Sequence, residues 1–169
     1  CRKYPSQRFG VTETYELLPE EQWPASKADI SRQLYHAAKA LGNMKHSLIM
    51  VDFIKSSNDF KLLEMSPRAG GDCIPLLIKK ATGISTIDLA VVVAKNEFIN
   101  PQTLPVKKTF AAYRLFARND GILISQNISL LGCRANVRQV LLYHHEGFYI
   151  SCNSSDYNNS LLGCVIYES

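Results

Sequence analysis

Two short apolar segments with a polar turn between them set the strongest constraint on how this chain can fold. Residues 47–54 and 60–66 each have the length and composition of a β-strand, and the polar cluster at 56–59 is a turn signal. Strands this close in sequence can be joined directly as an antiparallel pair. The sequence therefore predicts a hairpin, and a turn centred on Asn58 would oppose residues whose numbers sum to 116.

This register places two carboxylates side by side. Asp52 and Glu64 would be cross-strand neighbours on one face, with Cβ atoms about 5 Å apart, and Ser66 would point to the same face. Two adjacent carboxylates repel each other unless a cation or a shared proton lies between them. Oxygen-only ligands of this kind suit Mg²⁺, which takes one or two carboxylates and completes its shell with water and phosphate.

The other face of the hairpin is predicted to supply core residues. In the same register, Val51, Phe53, Leu63 and Met65 would all point away from the carboxylates. A shift of one residue would send every side chain to the opposite face, so this prediction depends on the register.

The segment after the second strand is typical of an anion-binding loop. Arg68 offers a planar guanidinium suited to phosphate or carboxylate, and Gly70 and Gly71 let backbone N–H groups come close to an anion. Together with the carboxylates these groups form half of a phosphoryl-transfer site. From spacing alone an alternative stays open, in which Asp52 lies on a solvated face of an edge hairpin and the Pro-Arg-Ala-Gly-Gly segment is an ordinary turn.

Three helices are predicted around the hairpin, whereas residues 1–24 are expected to be irregular. The first helix follows Pro24, with Ser26 or Asp29 as its cap and Gly42 as its stop. Two shorter helices are predicted over 74–81 and 86–95, separated by a Thr-Gly pair.

The character of the chain changes near residue 97. Residues 100–105 have the composition of a linker, and the short strand-like runs beyond it are broken by Asn-Asp-Gly and Glu-Gly turns. These runs cover residues 109–117, 121–125, 137–144 and 147–151. We therefore predict an α+β part over residues 1–96 and a small β-rich domain over residues 97–169.

Composition excludes several classes of protein. The net charge of +4 is scattered among acids and does not form the basic stripe of a nucleic-acid binder. No apolar run approaches the ~20 residues that span a membrane. The five cysteines show no CxxC pattern, which predicts reduced thiols in a cytoplasmic protein. Because the chain starts at Cys1, we also expect it to be a piece of a longer protein or a processed or trimmed product.

The hairpin and its loop closely resemble the signature of the ATP-grasp superfamily. That signature is an acidic residue in a hydrophobic strand, a turn, and then Glu-x-Asn-x-Arg, which is similar to Val51–Phe53 followed by Leu63–Gly71. The spacing of twelve residues between the two acids also matches. The Thr-Gly pair with the helix at 87–94, and the apolar tail segment at 162–166, look like the same superfamily.

The resemblance implies a fold and a set of site residues. The fold would be the C-terminal subdomain of an ATP-grasp domain, an antiparallel sheet with flanking helices, followed by the β-rich domain. Asp52 and Glu64 would be Mg²⁺ ligands (Mn²⁺ could replace it) that bridge the phosphates of ATP, and Arg68 would be the catalytic group on the γ-phosphate or the acyl phosphate. The resemblance also implies that Ser66 is a metal ligand. Ser66 stands where the superfamily usually has Asn, and its hydroxyl is carried on a shorter side chain than the amide of Asn.

The loop residues after Arg68 would lie nearer the second substrate. The resemblance implies that this substrate is contacted by Gly70, Gly71 and Asp72. The carboxylate of Asp72 would bind its amine. An alternative for Asp72, the N-cap of the following helix, stays open.

The function implied is that of an ATP-dependent carbon–nitrogen ligase that activates a carboxylate as an acyl phosphate for attack by an amine. Residues 1–24 contain none of the lid lysines, glycine-rich loop or adenine-binding hinge that such an enzyme needs. We therefore expect the chain to be the C-terminal portion, to act with an N-terminal lobe of the same protein, and to be inactive alone.

Partners would be a small carboxylate and an amine, with no nucleic acid or membrane, and a homodimer is left open. The alternative is a non-catalytic module, a scaffold or oligomerisation surface, that binds no nucleotide by itself.

Overall fold

A computed structural model describes residues 1–6, 10–23, 25–42, 47–55, 60–97, 106, 108–153 and 157–168. The helices and strands are β1 (Arg2–Pro5), β2 (Thr12–Leu17), α1 (Lys27–Ala40), β3 (Met50–Lys55), β4 (Phe60–Ser66), α2 (Ile74–Thr82), α3 (Thr86–Ala94), β5 (Phe110–Phe116), β6 (Gly121–Ile122), α4 (Ser129–Gly132), β7 (Val137–Leu142), β8 (Tyr149–Ile150) and β9 (Leu161–Glu168). This combination of helices and antiparallel strands confirms the predicted α+β class. The helix start at Pro24, the turn centred on Asn58 and the linker at 100–105 lie outside the described residues.

The chain divides into two compact units. The sheet unit combines Cys1–Leu18 with Lys107–Ser169, and the hairpin unit is Pro19–Val106. The division into domains over 1–96 and 97–169 stays a prediction. In the structure, residues 1–18 make their contacts with the C-terminal strands. The sheet unit is therefore built from two stretches of chain far apart in sequence.

A five-stranded antiparallel sheet in the order β1-β2-β5-β9-β7 forms the sheet unit. The prediction that residues 1–24 are irregular is wrong, because β1 and β2 both pair within this sheet. Only Tyr15 and Leu17 are apolar in β2, so its local signal is weak, and Tyr15 becomes buried by pairing opposite Ala112 of β5.

The core of the sheet unit is centred on β9, which has a neighbouring strand on each side. Its nearly continuous apolar run is typical of a strand buried on both faces. Among the described residues of this unit, the buried apolar side chains come from four strands and from Leu18, and they are Tyr15, Leu18, Ala111, Ala112, Ile150, Leu161, Cys164, Val165 and Ile166. A separate two-stranded sheet pairs β6 with β8.

The helices of the hairpin unit begin and end close to their predicted positions. Ser26 caps α1 by accepting a hydrogen bond from the Asp29 amide at 3.1 Å. Gly83 ends α2 with φ of +78°, a left-handed conformation that glycine adopts without steric cost. In the described part of the chain, no helix is long and apolar enough to cross a membrane.

The hairpin of β3 and β4 contains a β-bulge that the sequence did not predict. Asp52 lies opposite Glu64, but the next residue, Phe53, lies opposite Leu62, which leaves Leu63 as the extra residue of the bulge. Leu63 is 68% exposed, so its predicted place in the core is wrong. Its predicted partners on that face, Val51, Phe53 and Met65, are half-buried.

Candidate metal and phosphate site

The hairpin brings the two predicted carboxylates together. Asp52 in β3 and Glu64 in β4 are directly opposed in the antiparallel ladder. The predicted register, in which paired residue numbers sum to 116, is thus confirmed from Met50 to Asp52, whereas the pairs from Phe53 to Lys55 are shifted by one residue by the bulge. Directly opposed residues have Cβ atoms about 4.5–5.5 Å apart, close enough for both carboxylates to reach one cation. Asp52 is half-buried and Glu64 is exposed, so the pair lies at a surface that a ligand in solution can reach.

Ser66 joins this pair through a hydrogen bond. Its hydroxyl donates to Oε1 of Glu64 at 3.1 Å, as expected for side chains two residues apart on one face of a strand. Ser66 lies opposite Met50 at the end of the ladder and is itself half-buried. The structure thus brings together three oxygen-bearing side chains, those of Asp52, Glu64 and Ser66.

Arg68 lies two residues beyond the end of β4. Its amide donates to the carbonyl of Ser66 at 2.8 Å, and its Nη1 donates to the carbonyl of Ala69 at 3.0 Å. A Cβ built on Gly71 would lie 3.8 Å from the same Nη1, so the guanidinium lies alongside the glycine loop. Arg68 is exposed, which leaves this fixed positive charge accessible to an anion at the end of the hairpin.

The loop from Gly70 to Asp72 connects the hairpin to α2. A Cβ on Gly70 would lie only 3.2 Å from Cγ2 of Ile74, so a larger residue there would displace Ile74 or the loop. Asp72 has φ of +52° and is exposed. The alternative that Asp72 caps α2 is wrong, because Cys73 occupies the N-cap position.

The chemistry of these donors fits a hard cation. Among the described residues, no group of three or more His, Cys, Asp or Glu side chains could hold a metal. Two carboxylates with a hydroxyl beside them are what Mg²⁺ or Mn²⁺ takes when water and substrate phosphates complete its coordination. Asp52 and Glu64 are the residues that would hold it.

The sheet unit contains a buried cation that sequence reasoning missed. Arg114 is only 2% exposed, donates from Nη1 to the carbonyl of Thr12 at 2.9 Å, and lies 5.0 Å and 4.9 Å from the ring centroids of Phe116 and Tyr157. Its burial could have been predicted from its position in β5, because residues two apart in a strand share a face and Ala112 is buried. Through its bond to the Thr12 carbonyl, Arg114 links β5 to β2, and its guanidinium also lies close to two aromatic rings.

Comparison with known proteins gives structural matches only. No model of a known protein family matches the chain, and no curated protein sequence does. Among solved structures, the L-amino acid ligase from Bacillus licheniformis matches 95% of the chain with a TM-score of 0.71 and 19% identity. The phosphoribosylglycinamide synthetase from Anaerococcus prevotii matches 99% of it with a TM-score of 0.67 and 21% identity. The biotin carboxylase domain of the Hydrogenobacter thermophilus 2-oxoglutarate carboxylase, solved with MgADP, ADP and bicarbonate, matches 96% with a TM-score of 0.71 and 16% identity.

These proteins are ATP-grasp enzymes. The chain has an ATP-grasp fold. It spans 39%, 42% and 36% of the lengths of these three structures, so the match covers well under half of each ATP-grasp chain. At such identities the likeness establishes the fold, and the roles of Asp52, Glu64, Ser66, Arg68, Gly70, Gly71 and Asp72 stay predictions.

Proposed function

We propose that this chain is the C-terminal, metal-binding part of an ATP- and Mg²⁺-dependent carbon–nitrogen ligase. The observation that carries the proposal is the opposition of Asp52 and Glu64 across a hairpin that ends in the Arg68 loop, within an ATP-grasp fold. A single hairpin thereby presents an anionic pair and, four residues beyond Glu64, a cation. Such an arrangement suits a metal–phosphate complex, because one end binds the metal and the other binds phosphate.

Asp52 and Glu64 hold the cation in this proposal. A bound Mg²⁺, or Mn²⁺ in its place, would neutralise negative charge on the phosphates of ATP. Glu64 is exposed and can follow the metal–nucleotide complex, whereas half-buried Asp52 has less freedom and sets its position. The two carboxylates lie on neighbouring strands, and the ladder fixes their separation.

Arg68 acts on the transferred phosphoryl group. A carboxylate oxygen of the substrate bonds to the γ-phosphorus while the bond to the β,γ-bridging oxygen breaks, and ADP leaves. An amine then bonds to the acyl carbon of the acyl phosphate, phosphate leaves with the electron pair of the C–O bond, and the amine proton passes to solvent. The Arg68 guanidinium stabilises negative charge on the phosphoryl oxygens in both steps.

The loop beyond Arg68 contacts the second substrate. Gly70 and Gly71 keep the backbone accessible to a ligand, and the left-handed conformation of Asp72 keeps its exposed carboxylate outside the helix that follows. A carboxylate in this position suits the ammonium form of an amine substrate.

A further part of the enzyme is needed for catalysis. The ATP-grasp structures matched are more than twice as long as this chain. In this proposal, Asp52, Glu64 and Arg68 contact only the metal and the phosphates of the nucleotide. We therefore propose that an N-terminal lobe supplies the adenine pocket and the cover over the phosphates, and that the chain alone has no ligase activity.

Calorimetric titration of Mg²⁺ and ATP into the chain tests this proposal. We expect weak binding, on the order of millimolar for two carboxylates, which Asp52→Asn and Glu64→Gln each weaken at least about tenfold. Glu97→Gln removes an exposed carboxylate of the same unit and is the matched control, with no change expected. Equal binding by all variants would exclude the hairpin as the metal site. No binding by the unaltered chain would favour the non-catalytic module instead.

A further inference from the structure

We propose that Ser66 is a positioning residue, which orients the Glu64 carboxylate for the metal and is not itself a metal ligand. This inference rests on the proposed function, since it concerns how the same hairpin binds its cation. It departs from the expectation that Ser66 coordinates the metal directly.

The hydrogen bond between Ser66 and Glu64 supports an orienting role for Ser66. A carboxylate can only accept, so the Ser66 hydroxyl donates its single proton to Oε1 of Glu64 at 3.1 Å. That bond holds Oε1 beside Ser66 and so restricts the direction in which the carboxylate presents its oxygens to a cation.

The backbone around Ser66 supports an orienting role. Ser66 is the last residue of β4, and its carbonyl accepts from the Arg68 amide at 2.8 Å, so the ladder and the following turn both constrain its main chain. Glu64, by contrast, is exposed and has three rotatable side-chain bonds. A short hydroxyl on a constrained backbone can therefore reduce the freedom that Glu64 would lose on binding metal.

The chemistry of metal ligands also favours an orienting role for Ser66 over direct coordination. A neutral hydroxyl oxygen contributes less to binding a hard divalent cation than an ionised carboxylate does, and Asp52 and Glu64 already supply two carboxylates. Residues that hydrogen-bond a metal-binding carboxylate typically change metal affinity by about 10- to 100-fold. Because Glu64 is exposed and Ser66 is only half-buried, we expect an effect near the lower end of this range, about tenfold.

A double-mutant cycle with Mn²⁺ alone separates orientation from direct coordination. Binding is measured by water-proton relaxation, and the ¹³C shift of the Glu64 carboxylate is followed by NMR without metal. We expect Ser66→Ala to weaken Mn²⁺ binding about tenfold and to move the Glu64 signal, and Ser66→Thr, which keeps the hydroxyl, to restore both. In a Glu64→Gln background, Ser66→Ala should cause no further loss. Ser47→Ala on the same unit is the matched control.

The outcomes distinguish this inference from the proposed function. Equal losses from Ser66→Ala in the Glu64 and Glu64→Gln backgrounds would show direct coordination and overturn the orienting role alone. An unmoved Glu64 signal in Ser66→Ala would overturn it as well. If the unaltered chain shows no Mn²⁺ binding, the metal site itself is refuted, and the role of Ser66 falls with it.

Discussion

A methyl group at Gly163 tests the packing of β7 against β9 in the sheet unit. A Cβ built on Gly163 would lie 2.2 Å from the carbonyl oxygen of Leu141 and 3.1 Å from Cα of Leu142. Both atoms belong to the backbone of β7 and cannot rotate away as the end of a side chain would. The φ of Gly163 lies outside the left-handed region, so the penalty for Gly163→Ala comes from the contact and not from strain.

The size of the effect follows from the distance that the strands must move. Carbon–oxygen contacts below about 3 Å are strongly repulsive, so β7 must shift by roughly 1 Å relative to β9. This lengthens the hydrogen bonds on either side beyond normal geometry, including the 2.9 Å bond from the Tyr143 amide to the Leu162 carbonyl. Two or three weakened hydrogen bonds at about 1 kcal/mol each, with the lost packing, give a destabilisation of about 3–5 kcal/mol.

Urea unfolding followed by far-UV circular dichroism measures this loss, and amide hydrogen exchange shows whether it falls on β7 and β9. Gly132→Ala is the matched control, because a Cβ there meets nothing within 4 Å, and we expect a change within about 0.5 kcal/mol. If Gly163→Ala changed the free energy of unfolding by less than roughly 1 kcal/mol and left β9 protected, the deduced clash would be wrong.

Two further predictions concern ionisable groups of the sheet unit. Hydrogen bonds from Lys108 and Arg138 hold the pKa of Glu168 below its usual 4.5, so its stabilising contribution is present above that pH and is lost as pH falls through the lowered pKa. Glu168→Gln should therefore lower Tm at pH 7 but not in strong acid, and an equal deficit at both pH values would contradict this. The hydroxyl of Tyr113 donates to Glu13 at 2.9 Å, which together with burial raises the pKa of Tyr113 above 10.0, so this contribution is present below pH 10 and is lost as pH rises through the raised pKa. Absorbance titration should show a late tyrosine step that Tyr113→Phe removes and Glu13→Ala shifts toward pH 10, whereas an unshifted step in Glu13→Ala would exclude the hydrogen bond as the cause.

The pairing of Asp52 with Glu64 could be predicted because a hairpin is local. A short turn and two strands leave few possible registers, and the alternation of polar and apolar residues selects among them. The helices were predictable for the same reason, since the Ser26 cap and the Gly83 stop act within one turn of each helix end.

The exposure of Leu63 could not be predicted from alternation alone. A bulge adds one residue to one strand and interrupts the two-residue period at that point. An apolar residue in a bulge has the same sequence signal as one in a regular strand, so only the pairing showed that Leu63 leaves the core.

The sequence by itself determined the local elements of this protein: the hairpin with its opposed carboxylates, the three helices of the hairpin unit, and the arginine and glycine loop that follows Ser66. The tertiary structure decided what depends on contacts between distant parts of the chain. It made β1 and β2 part of the sheet with β5 and β9, buried Arg114, and set the backbone of Leu141 against Gly163. The physical reason is that strand pairing and burial depend on partners about 100 residues away, which the composition of a segment does not specify.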